Sequence, residues 1–179
     1  MFTQALHVLE VAAERLDYER RLMDTLVETF ARMHRGTDAA AAIQRMEQSG
    51  KSGAAVFELR ARLAMLSGDF KTARDFYRMV VEAEADNTAA RVRLGLASEG
   101  LGDNAAAERL FMESIELSED PTDSVIHLAR LYIRMERWDD ALKFLEPVMK
   151  NVPRRFDGQL MLARIYINLG LVEQLMELV

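Results

Sequence analysis

Apolar positions between residues 54 and 87 recur at helical spacing in two short runs. Phe57, Ala61 and Ala64 make the first, and Ala73, Tyr77 and Val80 make the second. Steps of three and four residues are those of one buried helix face. Ser67, Gly68 and Asp69 interrupt the pattern, and Asp86 with Asn87 closes it. The stretch therefore predicts a helical hairpin, with a first helix A, a three-residue turn and a second helix B. A single hairpin carries two apolar stripes and no third layer to cover them, so it needs neighbours of its own kind.

The rest of the chain supplies them. Ala73, Ala107 and Ala141 recur every 34 residues, as do Ala61, Gly95, Ala129 and Ala163. Small residues at these places let two helix axes approach to the usual ~8–10 Å. Tyr77, Phe111 and Leu145 follow four residues after the helix B alanine and fill the wedge beside the contact. Gly68, Gly102 and Gly170 coincide at the turn, where Glu136 takes the fourth place. Glycine there permits the left-handed conformation that closes helix A. Asp69 and Asp103 follow as N-caps or first-turn acids for helix B, and Asp120 with Pro121, and Pro153, stop helix B and start the next helix. Pro147 falls inside a helix B, where a kink is expected.

This pattern resembles the tetratricopeptide repeat, a 34-residue helix-turn-helix unit. The stretches LGLASEGLGDNAAAERLF and LARLYIRMERWDDALKFL carry the resemblance best, while Phe57, Arg91, Val125 and Gln159 replace the family's usual early tryptophan. The resemblance implies an all-α fold, a right-handed α-solenoid of antiparallel helix-turn-helix units with a 34-residue period. Residues 54–87, 88–121 and 122–155 are read as clear repeats and 20–53 as a degenerate one, with Val27, Phe30, Ala39, Ile43 and Met46 at its packing positions and a turn at His34, Arg35 and Gly36. Residues 1–19 read as a helix B-like half unit, with Ala5, Leu9 and Ala12 on its packing positions. Residues 156–179 read as a truncated unit, a helix A and part of a helix B ending at Val179. The apolar stretch 171–179 has no polar capping helix after it. The chain is thus expected to be a segment of a longer array or to stack its open ends on another copy.

Composition narrows the function. No window is apolar enough for a membrane span, and residues 1–16 read as helix rather than signal peptide. This leaves a soluble protein, cytoplasmic or periplasmic. Cysteine is absent, which removes disulfides and thiolate chemistry. A net charge of −6 argues against nucleic acid and against anionic membranes. His7, His34 and His127 are dispersed and fit no metal spacing, and no nucleotide or hydrolase motif is present. Gly50, Lys51 and Ser52 imitate the end of a phosphate loop, but Arg45 stands where its first glycine belongs and no strand precedes it. The reading is non-catalytic, with no cofactor and no metal.

What remains is a surface. The resemblance implies that A helices line a concave groove that holds a partner segment. Carried onto this chain, its contact positions give Arg62, Met65, Arg93, Glu99, His127, Arg130, Ile133, Arg134, Met161, Arg164 and Asn168. Arg62, Arg130 and Arg164 share one register position, and so are expected along one line. Arginines on the A helices, set against acid-rich B helices, favour an acidic protein or peptide partner. The competing reading gives these arginines internal ion pairs, for example with Glu58, Glu99 and Asp123. Arg62 and Leu96 occupy the place of the asparagine that a carboxylate-gripping clamp requires, which argues against that particular activity. The expected function is a scaffold or adaptor within a larger bacterial assembly or export machine. The alternatives are a homo-oligomer formed through open repeat ends, or a regulatory segment of a larger multidomain protein.

Overall fold

The computed structural model describes residues 2–152 and 154–177, and among them are eleven helices and no strand. In order these are α1 (Phe2–Arg15), α2 (Arg20–Arg32), α3 (Gly36–Gln48), α4 (Ala54–Leu66), α5 (Phe70–Ala83), α6 (Thr88–Gly100), α7 (Asn104–Leu117), α8 (Thr122–Arg134), α9 (Trp138–Asn151), α10 (Phe156–Leu169) and α11 (Val172–Glu177). Pro153 and Val179, expected to end helices, fall outside the described residues, as does the side chain of Ala5. Pro147 lies within α9, which runs without interruption from Trp138 to Asn151.

The chain divides into two compact units at Asp103, in the turn between α6 and α7. In the first unit α1 packs on α2, α2 on α3 and α4, α3 on α4, α4 on α5, and α5 on α6. In the second, α7 packs on α8, α8 on α9 and α10, α9 on α10, and α10 on α11. The helix starts at Ala54, Thr88, Thr122 and Phe156 stand 34 residues apart.

The same spacing organises the cores. Ala39 and Ala73 in the first unit, and Ala107 and Ala141 in the second, are fully buried. Four residues further along, Ile43, Tyr77, Phe111 and Leu145 are buried too. Each such side chain contributes roughly 1.5–3 kcal/mol by leaving water. On the A helices the small Ala61, Gly95 and Ala129 are buried, and Ala163 is half-buried. A side chain on Gly158 would overlap the Met149 sulfur, so α9 and α10 also meet closely.

The turns explain why the hairpins close where they do. Gly68, Gly102 and Gly170 all have positive φ, between 70° and 78°. His34 and Glu136 take the same conformation, at 57° and 58°, on the same 34-residue ruler. Gly36 is instead the first residue of α3. Each turn makes the same two backbone bonds. Asp69 N–H donates to Ala64 C=O at 2.9 Å and Gly68 N–H to Met65 C=O at 3.1 Å. Their counterparts are Arg137 to Tyr132 at 2.9 Å and Glu136 to Ile133 at 3.2 Å. These bonds satisfy carbonyls that the end of a helix leaves open. At the start of the following helix, Asp69 accepts from Thr72 N–H at 3.1 Å, and Asn87 caps α6 by accepting from Ala90 N–H at 2.8 Å.

The two turns without glycine share a further device. The residue after the left-handed position is arginine in both, Arg35 and Arg137. Arg35 Nε donates to Asp38 at 2.7 Å and Arg137 Nε to Asp140 at 2.6 Å. The same guanidinium groups lie over Phe30 and Tyr132, at 5.1 and 4.3 Å from the ring centroids. Arg137 also donates to Glu108 at 2.9 Å, which accepts the Tyr132 hydroxyl at 2.8 Å. Hydrogen bonds donated to the Asp140 and Glu108 carboxylates hold the pKa of Arg137 above its ordinary value. These contacts oppose the cost of holding a side chain at positive φ, roughly 1–2 kcal/mol for an L-residue. Glu136→Gly is therefore expected to stabilise the protein by about 1 kcal/mol, and Gly102→Ala to destabilise it by a similar amount. Urea midpoints of the two variants against the parent chain measure both.

Candidate functional site

The candidate contact residues fall into two groups, one in each unit. In the first unit, Glu58 and Arg62 are one helical turn apart on α4, so they share a face. Glu58 is only 5% exposed. Its carboxylate accepts hydrogen bonds from Arg20 of α2 and Arg93 of α6, and so ties three helices together. Asp24 and Glu28 share a face of α2 in the same way. Arg62 lies 2.5 Å from Asp24 Oδ1 and 3.7 Å from Glu28 Oε2. Met65 and Glu99 are half-buried. Burial pushes the Tyr77 hydroxyl up to about 12, with Arg93 and Arg62 opposing the shift and Glu58 and Asp24 adding to it. Arg62 and Arg93 are thus held by internal carboxylates.

The second unit is arranged differently. His127 of α8 stacks on Phe111 of α7, with ring centroids 5.8 Å apart and planes inclined by 23°. Its Nδ1 stands 3.5 Å from a guanidinium nitrogen of Arg130. Arg130 and Arg134 are exposed at the end of α8. On α10, the Arg164 guanidinium lies over Trp138, 5.6 Å from the ring centroid. Asn168 is exposed, and its amide donates to the Arg164 carbonyl at 2.8 Å; Met161 is half-buried. Asp123, a candidate partner for the arginines, instead takes Arg155 at 2.7 Å. Among the described residues neither Arg130 nor Arg164 makes an ion pair with a carboxylate.

Ile133 departs from its expected place. It is 5% exposed and belongs to the buried stripe of α8, with Ile126 and Ala129, so it offers little surface to a ligand. The sequence reading also overlooked Arg20, Asp24, Glu28 and Trp138. A signal for one of them was present, since Glu28 stands at the register position of Arg62 one repeat earlier, with the opposite charge.

Lys51, in the sequence that imitates a phosphate loop, lies 2.6 Å from Asp17 Oδ2 in the junction before α4. Among the described residues no group of three or more His, Asp or Glu side chains is placed to hold a metal ion. No helix among them is long and apolar enough to cross a membrane.

Two family models, both described as tetratricopeptide repeat, match residues 25–88 and 98–165. No curated protein sequence matches the chain. Among solved structures, a thermophilic TPR protein in Thermus thermophilus superposes with a TM-score of 0.74 at 16% identity, covering 93% of this chain and 91% of that one. MamA superposes at 0.64 with 13% identity, covering 86% and 90%. The first TPR of Spaghetti (RPAP3), bound to the HSP90 peptide SRMEEVD, superposes at 0.61 with 20% identity, covering 66% and 96%. At such identities the likeness is one of fold.

Two outcomes follow from the first-unit network. Replacing Arg20 and Arg93 together by Met leaves the Glu58 carboxylate buried without its partners and costs about 3 kcal/mol. Glu58→Met leaves two arginines that reach water and costs less, which paired denaturation curves resolve. Separately, folding holds the Tyr77 proton above its unfolded value of 10.0. The stabilisation it gives is full below that pH and is lost as pH rises toward about 12. Between those limits the parent chain is expected to lose about 2 kcal/mol more than Tyr77→Phe, measured by urea unfolding in buffers across the range.

Proposed function

Because the chain belongs to the tetratricopeptide repeat family, we propose that it is a non-catalytic scaffold that holds an acidic segment of a partner protein against its A helices. We read residues 20–53, 54–87, 88–121 and 122–155 as its repeats, with a half unit at 1–19 and a truncated unit at 156–179. The observation that carries the reading is a contrast among its arginines. Arg62 and Arg93 are engaged by Asp24, Glu28 and Glu58. Arg130 and Arg164 hold the same kind of position, one repeat apart, with a histidine and a tryptophan beside them instead of carboxylates.

An arginine steadied on an aromatic ring keeps its donor edges pointed outward, which suits bidentate pairing with Asp or Glu. Met161 and the ring of Trp138 add apolar contact beside it, so acidic residues spaced by apolar ones fit best. The peptide in the Spaghetti complex, SRMEEVD, is of this acidic class. The contacts are read as centred on His127, Arg130, Arg134, Met161, Arg164 and Asn168. Arg62, Met65, Arg93 and Glu99 are read as supporting the fold of the first unit. The scaffold would serve as one component of a larger assembly, the setting that the family resemblance implies.

Fluorescence anisotropy with a peptide series graded from acidic to basic tests the reading. The parent chain is expected to select acidic peptides, with affinity falling as salt rises. Arg130→Glu combined with Arg164→Glu is expected to lose about a hundredfold in affinity, at about 1.5–3 kcal/mol per charge-assisted hydrogen bond. Its helical circular dichroism should match the parent. Undiminished binding by the folded double variant would reject the proposal.

A further inference from the structure

The bonds that close the turns align the two units residue by residue. Asp69 N–H donates to Ala64 C=O as Arg137 N–H donates to Tyr132 C=O, so Ala64 and Tyr132 hold the same place near the end of a helix A. In the second unit the Tyr132 ring is buried among α7, α8 and α9, at 2% exposed. Its centroid lies 6.0 Å from that of Phe144, and its hydroxyl donates to Glu108 at 2.8 Å. Two periods earlier, Phe144 becomes Phe76, Glu108 becomes Ala40 and Tyr132 becomes Ala64. The first unit therefore keeps the aromatic wall and replaces the ring and the carboxylate by methyl groups.

A pocket of about 220 Å³ lies at this place, lined by Ala40 and Ile43 of α3, Leu63 and Ala64 of α4, and Phe76 of α5. An apolar cavity of about 150 Å³ is enough to bind benzene, so a substituted ring fits. Ile43 and Ala64 are buried at its inner end, while Ala40 and Asp69 are exposed at its mouth. Arg60 also borders it, but its guanidinium donates twice to Glu47, at 3.1 and 2.6 Å. Asp69 accepts from Thr72 N–H at 3.1 Å and, as a carboxylate, has further acceptor positions.

We propose that this pocket binds a small neutral molecule with one phenol ring, held against Phe76 as Tyr132 is held against Phe144. The orientation follows from the second unit. There the Cβ end of the ring springs from α8, and the hydroxyl points away from it to Glu108, which also takes Arg137, the counterpart of Asp69. In the first unit that orientation turns the carbon end of the ring to Ala64 and the hydroxyl to the mouth, where Asp69 accepts it. A tyrosine reaching in from a partner protein enters hydroxyl first and buries it against Ile43 and Ala64, which weakens binding. An aromatic acid meets the Asp69 charge and finds Arg60 already engaged. The site belongs to the first unit and shares no residue with the acidic-segment reading.

The probe is para-cresol, the tyrosine side chain as a free molecule. Titrated into the parent chain, it is expected to shift the methyl NMR signals of Ala40, Ile43, Leu63 and Ala64 saturably, with a Kd on the order of 1 mM. Benzoate and a capped Gly-Tyr-Gly peptide are expected to bind more weakly by about tenfold or more. Ala64→Tyr with Ala40→Glu rebuilds the pair formed by Tyr132 and Glu108. It should abolish the shifts at Ile43 and Leu63 and keep the helical circular dichroism of the parent. Ala64→Leu, a smaller filling, should weaken binding as well. The proposal is overturned by the absence of a saturable shift up to about 10 mM para-cresol, or by shifts centred on other residues. Equal binding of benzoate or of the peptide, or undiminished binding by either folded variant, would overturn it too.

Discussion

A helix of about thirteen residues can reverse onto its neighbour within three residues only if one of them adopts a positive φ. That constraint sets the rest of the architecture. Within each unit it returns helix B along its helix A in one register, which brings the buried alanine of helix B to the crossing and the large side chain after it to the wedge. The conformation occurs at residues 34, 68, 102, 136 and 170, each closed by the same pair of backbone bonds. Glycine meets the requirement at three of these places without strain. At the other two, an arginine held between an aspartate and an aromatic ring opposes the strain from outside the backbone.

Charge differentiates the two units, although their apolar frameworks follow the same ruler. In the first, carboxylates on α2 and α4 engage arginines on α2, α4 and α6, and one of these carboxylates is almost wholly buried. A buried carboxylate is tolerated only with close partners, so this cluster is bound to the fold. In the second unit Arg164 lies over the Trp138 ring and Arg130 stands beside a ring nitrogen of His127. Ring contacts steady a guanidinium without neutralising it. The repeat thus keeps one geometry while giving its charged positions two different tasks.

The framework was legible in the sequence because it depends on spacing. Small residues at 73, 107 and 141, and glycines at 68, 102 and 170, each report a steric requirement that few residue types meet. Even Glu136, which breaks the glycine pattern, could be placed by the ruler and then proved to be left-handed. The charged positions were less legible, because pairing depends on what the adjacent unit offers. Arg62 looked equivalent to Arg130 and Arg164, yet Asp24 and Glu28 from α2 face it. Ile133 was a contact position carried over from the family resemblance, yet its angle around the helix carries it into the core. The ruler gives the phase of a residue along the array, while its exposure depends on angle about the helix axis.

The turn of α8 and α9 bears on how such arrays can be rearranged. Tyr132, Glu136, Arg137 and Asp140 work as one group, and Glu108 from the preceding helix completes it. A glycine turn is self-sufficient and can be transplanted alone, but this one carries dependencies that reach back to α7. Duplicating or shuffling residues 122–155 without α7 would separate the arginine and tyrosine from their shared carboxylate. The portable module is therefore longer than the 34-residue period, and the natural places to cut and join this chain are its glycine turns.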